Sequence, residues 1–229
     1  MVESLYSNAP IEWEDYRKQI LFDDGNLHIF SFRLDVSAKL TDKFATFLSD
    51  AEIEKKNRFF KIEDANRFAL GKYFLRKILS EQLSVEPKKI NFSLANNNKP
   101  YIAEFNFNLS HSGDFVVIAI GKSEIGIDVE QIKTHFDHSS LAKECFTINE
   151  RNLINNLEDF YCFWTRKEAI LKASGEGLID NLHEIECIAG KVQRHGTNYQ
   201  LNSFLIDRNH MLSVACENTH SKLFFWNYN

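Results

Sequence analysis

The sequence has few cysteines, and they are widely spaced. Its 229 residues contain Cys145, Cys162, Cys187 and Cys216, and no two of them form a C-x-x-C pair. We therefore expect buried thiols in a reducing compartment rather than a disulfide framework or a zinc site. The chain also starts without a basic segment followed by an apolar core, so we predict no signal peptide and a cytoplasmic protein.

Long hydrophobic runs and an excess of positive charge are absent as well. No stretch of about eighteen apolar residues occurs, so we expect no membrane-spanning helix. The formal net charge of −5 argues against general nucleic-acid binding, which needs a basic surface. A small polyanionic ligand is still compatible with this charge, because it needs only a local positive pocket. One segment is locally basic, and a solvated helix face is its default interpretation: Lys55, Lys56, Arg58, Lys61, Arg67, Lys72, Arg76 and Lys77.

The hydrophobic content of 44% is enough for a sizeable core in one large or two small domains. Helices are predicted after the capping box Ser49–Glu52, over 64–83, and over 158–174 with Gly175 at the end; Thr147–Glu150 is a second capping-box pattern. Strands are predicted at Leu27–Leu34, Phe115–Ile120 and Ile125–Glu130. Short antiparallel strands should follow at Tyr199–Ile206, Met211–Cys216 and Leu223–Trp226. Helices mixed with sequentially adjacent strands favour an α+β fold, and the similar order of elements in the two halves suggests a duplicated unit.

The segment Ile125–Glu130 predicts two carboxylates on one face of a strand. Strand side chains alternate, so Gly126, Asp128 and Glu130 share a face, and the glycine is expected to leave open space beside the acids. Like charges this close are disfavoured unless a cation lies between them, and oxygen ligands suit Mg²⁺, which also binds substrate phosphates. From this segment alone, a solvated strand face is an equally good interpretation.

The segment Phe160–Lys172 predicts a helix with Trp164, Glu168 and Lys172 on one face, since they are four residues apart. Glu168 before Lys172 is also the order of an ordinary surface ion pair, which is the simpler interpretation of an isolated pair. The tryptophan one turn earlier favours a functional role, because an exposed Trp on a charged face needs a reason.

The segment Asn108–Gly113 places His111 between Ser110 and Ser112. The histidine can donate a hydrogen bond to a phosphate, and the short side chains let a ligand approach. A histidine with only a structural role is the alternative. A Ser–His hydrolase is disfavoured, because the chain has no G-x-S-x-G elbow and sequence neighbours do not by themselves form a triad.

In combination, these segments resemble the Sfp-type 4′-phosphopantetheinyl transferases from about Phe59 to Leu178. The matching motifs, in order, are Lys99-Pro100, Asn108–Ser112, Ile125–Glu130 and Trp164–Lys172. Each motif is short, but their order and intervals are specific together. The segment Arg58–Arg67 also looks like the first helix region of the family. Asn98 stands where the family often has glycine before Lys-Pro, and asparagine tolerates the positive φ of such a turn.

The resemblance implies a fold and a reaction. The fold would be an α+β pseudo-dimer of two similar halves, which we place at 1–120 and 121–229, with the site in the cleft between them and the metal site in the second half. The enzyme would transfer 4′-phosphopantetheine from coenzyme A to a serine of an apo acyl or peptidyl carrier protein, releasing 3′,5′-ADP in the presence of Mg²⁺. One chain would supply the whole cleft, so we expect a monomer.

The resemblance also implies residue roles. Asp128, Glu130 and Glu168 would bind Mg²⁺, and Glu168 would also take the proton of the carrier serine. Lys172 would neutralise the pyrophosphate or protonate the leaving phosphate, so Asp128, Glu168 and Lys172 form the catalytic group. The other residues that would contact the phosphates and nucleotide of coenzyme A are Lys55, Arg67, Lys99, Ser110 and His111.

Two alternatives to this function remain at the level of sequence. A Mg²⁺-dependent pyrophosphate hydrolase could use the same carboxylates, but the acid-rich metal-binding helix that it needs is not found. A non-catalytic homologue could bind coenzyme A or a carrier without turnover. The presence of Asp128, Glu130, Glu168 and Lys172 together argues against this second alternative.

Overall fold

The computed structural model describes residues 5–7, 9–17, 25–95, 97, 99–177, 179–217 and 222–228. Residues 1–4, on which the signal-peptide prediction depends, lie outside these ranges, and so does Asn98 of the predicted turn. The α-helices of the described part are α1 (Thr41–Phe47), α2 (Asp50–Asn57), α3 (Ile62–Leu83), α4 (Ser139–Cys145), α5 (Ile148–Arg151) and α6 (Leu157–Ser174). Short 3₁₀ helices span Leu34–Leu40, Pro87–Lys89 and Leu182–Glu184. No helix in the described ranges is both long and apolar enough to cross a membrane.

The strands form two main sheets and one small hairpin. They are β1 (Glu14–Asp15), β2 (Leu27–Arg33), β3 (Ser93–Leu94), β4 (Pro100–Tyr101), β5 (Asn106–Ser112), β6 (Phe115–Gly121), β7 (Ile125–Gln131), β8 (Lys191–Arg194), β9 (Thr197–Asp207), β10 (His210–Cys216) and β11 (Leu223–Asn227). The first sheet has the order β1-β11-β2-β6-β5, and the second has the order β7-β10-β9-β8. Strands β3 and β4 pair separately.

The predicted helices are confirmed, and local hydrogen bonds explain where they begin and end. Ser49 accepts a hydrogen bond from the Glu52 backbone N–H at the start of α2, and the Glu52 carboxylate accepts one from the Ser49 N–H. Thr147 and Glu150 form the same reciprocal pair at the start of α5. Helix α6 ends at Gly175, whose φ of +70° lies in the left-handed region that glycine adopts without strain.

One strand prediction is wrong in its direction. The segment 223–226 does form a strand, but β11 runs parallel to both β2 and β1. A short turn after β10 would have made β11 an antiparallel neighbour of β10. Instead, β10 lies in the second sheet and β11 pairs in the first. The last strand of the chain therefore completes the sheet that contains β2 and β6.

The two sheets pack face to face around a shared apolar layer. This layer contains Leu27, Ile29, Val117 and Ala119 from the first sheet, and Ile125, Ile127, Val129, Leu212, Val214 and Cys216 from the second. Helix α3 covers the outer face of the first sheet, and α6 covers the outer face of the second. The predicted α+β fold with two similar halves is thereby confirmed, and the inward face of β7 is the apolar one expected from its alternation.

Candidate active site

A row of short polar side chains on β5 joins the two halves. The sequence alternates so that Asn108, Ser110 and Ser112 share one face of β5, and each accepts a hydrogen bond from a backbone N–H of β7. The pairs are Asn108 Oδ1 with Ile127 N (2.9 Å), Ser110 Oγ with Val129 N (3.3 Å) and Ser112 Oγ with Gln131 N (3.1 Å). β5 and β7 belong to different sheets and do not pair as strands, so these side-chain hydrogen bonds connect the two sheets. They fix the position of β7 relative to β5.

The same hydroxyl groups hold the two predicted carboxylates. Ser110 Oγ donates to Asp128 Oδ1 at 2.8 Å, and Ser112 Oγ donates to Glu130 Oε2 at 2.7 Å. Each serine thus accepts from the backbone and donates to a carboxylate, which uses both capacities of a hydroxyl group. Asp128 is 4% exposed, and its second oxygen, Oδ2, is buried without a hydrogen-bond partner in the described part of the chain.

Gly126 is the point at which α6 crosses β7. A Cβ atom built on this residue would lie 1.9 Å from the carbonyl oxygen of Ala169 and 2.4 Å from the backbone nitrogen of Ala173. The open space predicted beside the carboxylates is therefore wrong, because the backbone of α6 fills it. This close approach brings Lys172 Nζ to 2.6 Å from Asp128 Oδ1, where it also contacts Ser110 Oγ at 3.1 Å.

The carboxylates of the site influence one another. Burial raises the pKa of Glu168, and the negative charges of Asp128 and Glu130 raise it further, while Lys172 opposes the shift. The pKa of Glu130 is also raised, first by burial and then by Asp128, against the hydrogen bond from Ser112. Three acids thus share one region whose positive partner is Lys172. As they stand, no three His, Cys, Asp or Glu side chains of the described residues are arranged so that they could hold a metal ion.

Arg67 and His111 lie together at the turn between β5 and β6. Arg67 donates to Asp64 Oδ1 at 2.6 Å and to the carbonyl oxygen of Gly113 at 2.9 Å. The pKa of His111 is lowered, first by desolvation and then by the positive charge of Arg67. Its imidazole therefore stays neutral down to a lower pH than usual, and a nearby anion would favour the protonated form.

The other two predicted coenzyme A contacts are placed differently. Lys55 is exposed on α2, with its ammonium 5.2 Å from the ring centre of Phe68. Lys99 directs its ammonium inward, where it donates to the backbone carbonyl oxygens of Ile125 (3.2 Å) and Ala173 (2.9 Å). Desolvation lowers the pKa of Lys99.

A cavity of about 270 Å³ opens beside these groups. It is lined by Asn97, Lys99, Pro100, Asn108, Glu168, Leu171, Lys172, Gly175 and Gly177. Asn97 and Asn108 were not among the predicted site residues. The run of asparagines before Lys99 is the sequence feature that could have indicated Asn97. This residue has a φ of +53°, a conformation that asparagine tolerates better than most residues.

Two charged residues of the helix motif anchor α6 instead of facing the cavity. Lys167 and Glu150 are completely buried, and Lys167 Nζ lies 2.8 Å from Glu150 Oε2. Glu150 also accepts hydrogen bonds from the backbone nitrogens of Thr147 and Cys187. Arg166 is buried as well and donates to Ser203 Oγ at 2.9 Å. These contacts leave the opposite side of α6 to carry Glu168 and Lys172.

Comparisons with known proteins agree with this architecture. The family model for the N-terminal part of 4′-phosphopantetheinyl transferases matches residues 36–123, and the model of the 4′-phosphopantetheinyl transferase superfamily matches residues 124–215. The 4′-phosphopantetheinyl transferase HetI of Nostoc sp. PCC 7120 is 32% identical over 219 residues, which cover 88% of this chain and 92% of that protein. The 4′-phosphopantetheinyl transferase ffp of Bacillus subtilis is 31% identical over 207 residues, with coverages of 82% and 92%. The transferase Sfp of Bacillus subtilis strain 168 is 34% identical over 163 residues, with coverages of 66% and 72%.

Two α+β halves, joined at a seam that carries acidic and basic side chains, define the class of protein. Two family models cover most of the chain, and the similarity to HetI extends over nearly the whole length of both proteins. The chain belongs to the 4′-phosphopantetheinyl transferase superfamily. The resemblance inferred from its motifs is confirmed, and so is the prediction that it is an enzyme of this kind.

Proposed function

We propose that the protein transfers the 4′-phosphopantetheine group of coenzyme A to a serine hydroxyl of an apo acyl or peptidyl carrier protein. The serine oxygen forms a bond to the β-phosphorus, the bond between that phosphorus and the bridging oxygen breaks, and 3′,5′-ADP leaves. The observation that carries the proposal is the cavity lined by Glu168 and Lys172, in which the Lys172 ammonium also lies 2.6 Å from Asp128 Oδ1 behind the cavity wall. Phosphoryl-group transfer depends on this kind of positioning and charge compensation.

Glu168 is the proposed acceptor of the serine proton. A general base works best when its pKa approaches the working pH, and the pKa of Glu168 is shifted upward by burial and by Asp128. Lys172 Nζ donates to Asp128 Oδ1 at 2.6 Å and lines the same cavity as Glu168. Its ammonium would balance the charge of the pyrophosphate and hand a proton to the leaving phosphate.

Mg²⁺ is the proposed cofactor, held by Asp128, Glu130 and Glu168. Their donor atoms are all oxygens, which suit this ion, and the buried Oδ2 of Asp128 has no other partner in the described residues. Burial is the first cause of the raised pKa of both glutamates, and repulsion between the carboxylates adds to it; a divalent cation would relieve this repulsion. When bound, the ion would neutralise charge on the pyrophosphate.

The remaining phosphates of coenzyme A are proposed to contact Ser110, His111 and Arg67. Ser110 lies beside Asp128, and Arg67 contacts Gly113 at the end of β5, so these groups occupy two places along the same strand. Lys55 on α2 is exposed and available to the same ligand. Lys99 lines the cavity with its side chain, although two carbonyl oxygens bind its ammonium.

The monomeric, cytoplasmic state expected from the sequence is part of this proposal, as is the absence of membrane and nucleic-acid partners. One chain supplies all of the carboxylates and Lys172, so no second subunit is needed to complete the group. The described cysteines are all free, and three of them, Cys162, Cys187 and Cys216, are buried. Light scattering after size-exclusion chromatography should give one chain per particle.

The reaction is tested by intact mass spectrometry of an apo carrier protein incubated with the enzyme, coenzyme A and Mg²⁺. We expect the mass of one phosphopantetheinyl group to be added, and EDTA to prevent the addition. A protein that binds coenzyme A but modifies none of several acyl and peptidyl carriers would contradict transfer and favour the non-catalytic alternative. Unaltered transfer in EDTA would contradict the role of Mg²⁺.

The site is tested by Asp128→Asn, which keeps the shape of the side chain and removes its charge. Transfer should fall by about two to three orders of magnitude while the protein remains folded. Asp180→Asn is the matched control, since Asp180 is exposed and lies outside the cavity. Equal rates for the two variants would contradict the assignment of Asp128.

A further inference from the structure

The segment that precedes β4 is fastened to the end of the catalytic helix. Lys99 Nζ donates at once to the carbonyl oxygen of Ala173, in the last turn of α6, and to that of Ile125, the first residue of β7. The last carbonyl groups of a helix have no partner within it, and a cation at this end is favourable for the helix dipole. A single ammonium therefore ties α6 to β7.

Asn97 adds a second tie at the same place. Its side-chain nitrogen donates to the carbonyl oxygens of Gly175 (2.7 Å) and Glu176 (2.8 Å), directly after α6 ends. The backbone of Asn97 is left-handed, with a φ of +53°, and a Cβ atom built on Gly177 would lie 3.8 Å from Asn97 Cβ. The loop is held from its other side by Arg194, which forms an ion pair with Glu176.

This attachment lies next to the catalytic group. Ala173, whose carbonyl Lys99 binds, directly follows Lys172, and Lys172 contacts Asp128 on β7. Because α6 and β7 touch through their backbones at Gly126, a shift or fraying of the last turn of α6 would change the Lys172–Asp128 distance directly. A helix rises about 1.5 Å per residue, so slippage by even one residue would break a contact of 2.6 Å.

We propose that Lys99 and Asn97 are positioning residues that hold the end of α6 against β7, and that the ammonium of Lys99 is not a nucleotide ligand. The proposal rests on the transferase function proposed above. It makes the segment before β4, which belongs to the first half, a brace for catalytic residues of the second half. A positioning role predicts an effect on turnover, whereas a nucleotide contact predicts an effect on coenzyme A affinity.

Two variants test the proposal. Lys99→Met keeps the length of the side chain but removes the ammonium, and Asn97→Asp replaces the donating nitrogen by an oxygen that faces two carbonyl oxygens. Lys191→Met is the matched control, because Lys191 is an exposed lysine on β8. For each protein, hydrogen exchange, the Kd of coenzyme A by calorimetry, and the kcat and KM of transfer are measured.

Hydrogen exchange reports on the brace without turnover. The backbone nitrogens of Gly175 and Glu176 both donate to the carbonyl oxygen of Leu171, so their protection measures whether the end of α6 is intact. We expect faster exchange at these two amides in both variants, together with a kcat at least ~10-fold lower. The Kd of coenzyme A should stay within about twofold of the wild-type value, as should all parameters of the control.

The opposite result is equally clear. If Lys99→Met raises the Kd of coenzyme A by ~10-fold or more and leaves exchange and kcat unchanged, Lys99 is a nucleotide ligand and the proposal is wrong. Unchanged protection, or lost protection with an unchanged kcat, would also overturn it. If the wild-type protein transfers nothing, the proposed function fails, whereas the exchange data still decide whether Lys99 and Asn97 hold the helix.

Discussion

The close approach of the α6 backbone to β7 at Gly126 makes Gly126→Ala an informative perturbation. The new Cβ atom would lie 1.9 Å from the carbonyl oxygen of Ala169, whereas ordinary van der Waals contact begins at 3.4 Å. The difference, about 1.5 Å, is the distance by which α6 or β7 must withdraw. The obstructing atoms belong to the helix backbone, so no side-chain rotation can relieve the clash.

Both stability and turnover should respond. Overpacking of this kind costs about 1–3 kcal/mol, and each kcal/mol lowers the Tm of a protein of this size by about 2–4 °C. Withdrawal of α6 also separates Lys172 from Asp128, and a misplacement of about 1 Å can cost ~100-fold in rate. We therefore expect a folded protein with a lower Tm and a kcat/KM for carrier modification reduced by about two orders of magnitude.

The assay pairs thermal unfolding with carrier modification followed by intact mass. Gly190→Ala is the matched control, because a Cβ atom there meets its nearest neighbour at 3.5 Å, which is an ordinary contact. A Gly126→Ala protein with the Tm and activity of the Gly190→Ala protein would show that α6 does not set the geometry of the site. Loss of stability with full activity would show that the position of Lys172 tolerates the shift.

Three further predictions concern the interior and the carboxylates. Lys167→Met leaves Glu150 buried without its cation, and urea unfolding should show a loss of about 3–5 kcal/mol in the free energy of unfolding. Because the pKa of Glu168 is raised in the folded protein, ionisation of this group destabilises the fold. Glu168→Gln, measured in EDTA, should therefore raise the Tm at pH values above the raised pKa of Glu168, and this gain should vanish as the pH falls toward 4.5, the ordinary pKa of a glutamate. Glu63→Gln, at an exposed position of α3, is the control variant. Ser110→Ala removes the hydroxyl that joins β5 to β7, and denaturant unfolding should show a loss of about 1–3 kcal/mol, with lower transfer activity.

Local features of the fold were predictable from short stretches of sequence. The capping boxes at Ser49 and Thr147 form as expected, because each needs only groups three residues apart. Glycine after the last turn ended α6 at the predicted position. The alternation of Ile125, Ile127 and Val129 gave the correct inward face of β7, because successive side chains of a strand point to opposite faces.

Features that depend on distant partners were not predictable in this way. The parallel direction of β11 is decided by its pairing with β2, nearly two hundred residues earlier in the chain. The direction of the Lys99 ammonium depends on carbonyl groups at the ends of two other elements. Lys167 was part of a recognised motif, yet its complete burial depends on Glu150 and could not be seen from helix spacing alone.

The sequence by itself determined helices α2, α3 and α6, the apolar face of β7, and the family to which the chain belongs, since these depend on local hydrogen bonds, periodicity and motif order. Only the tertiary structure decided which charged groups meet. It placed Lys172 against Asp128 at 2.6 Å, filled the space at Gly126 with a helix, and turned Lys99 toward the end of α6. The physical reason is that the energy of a charge pair depends on the distance between the two charges, and these distances are set by the packing of two halves that sequence spacing does not encode.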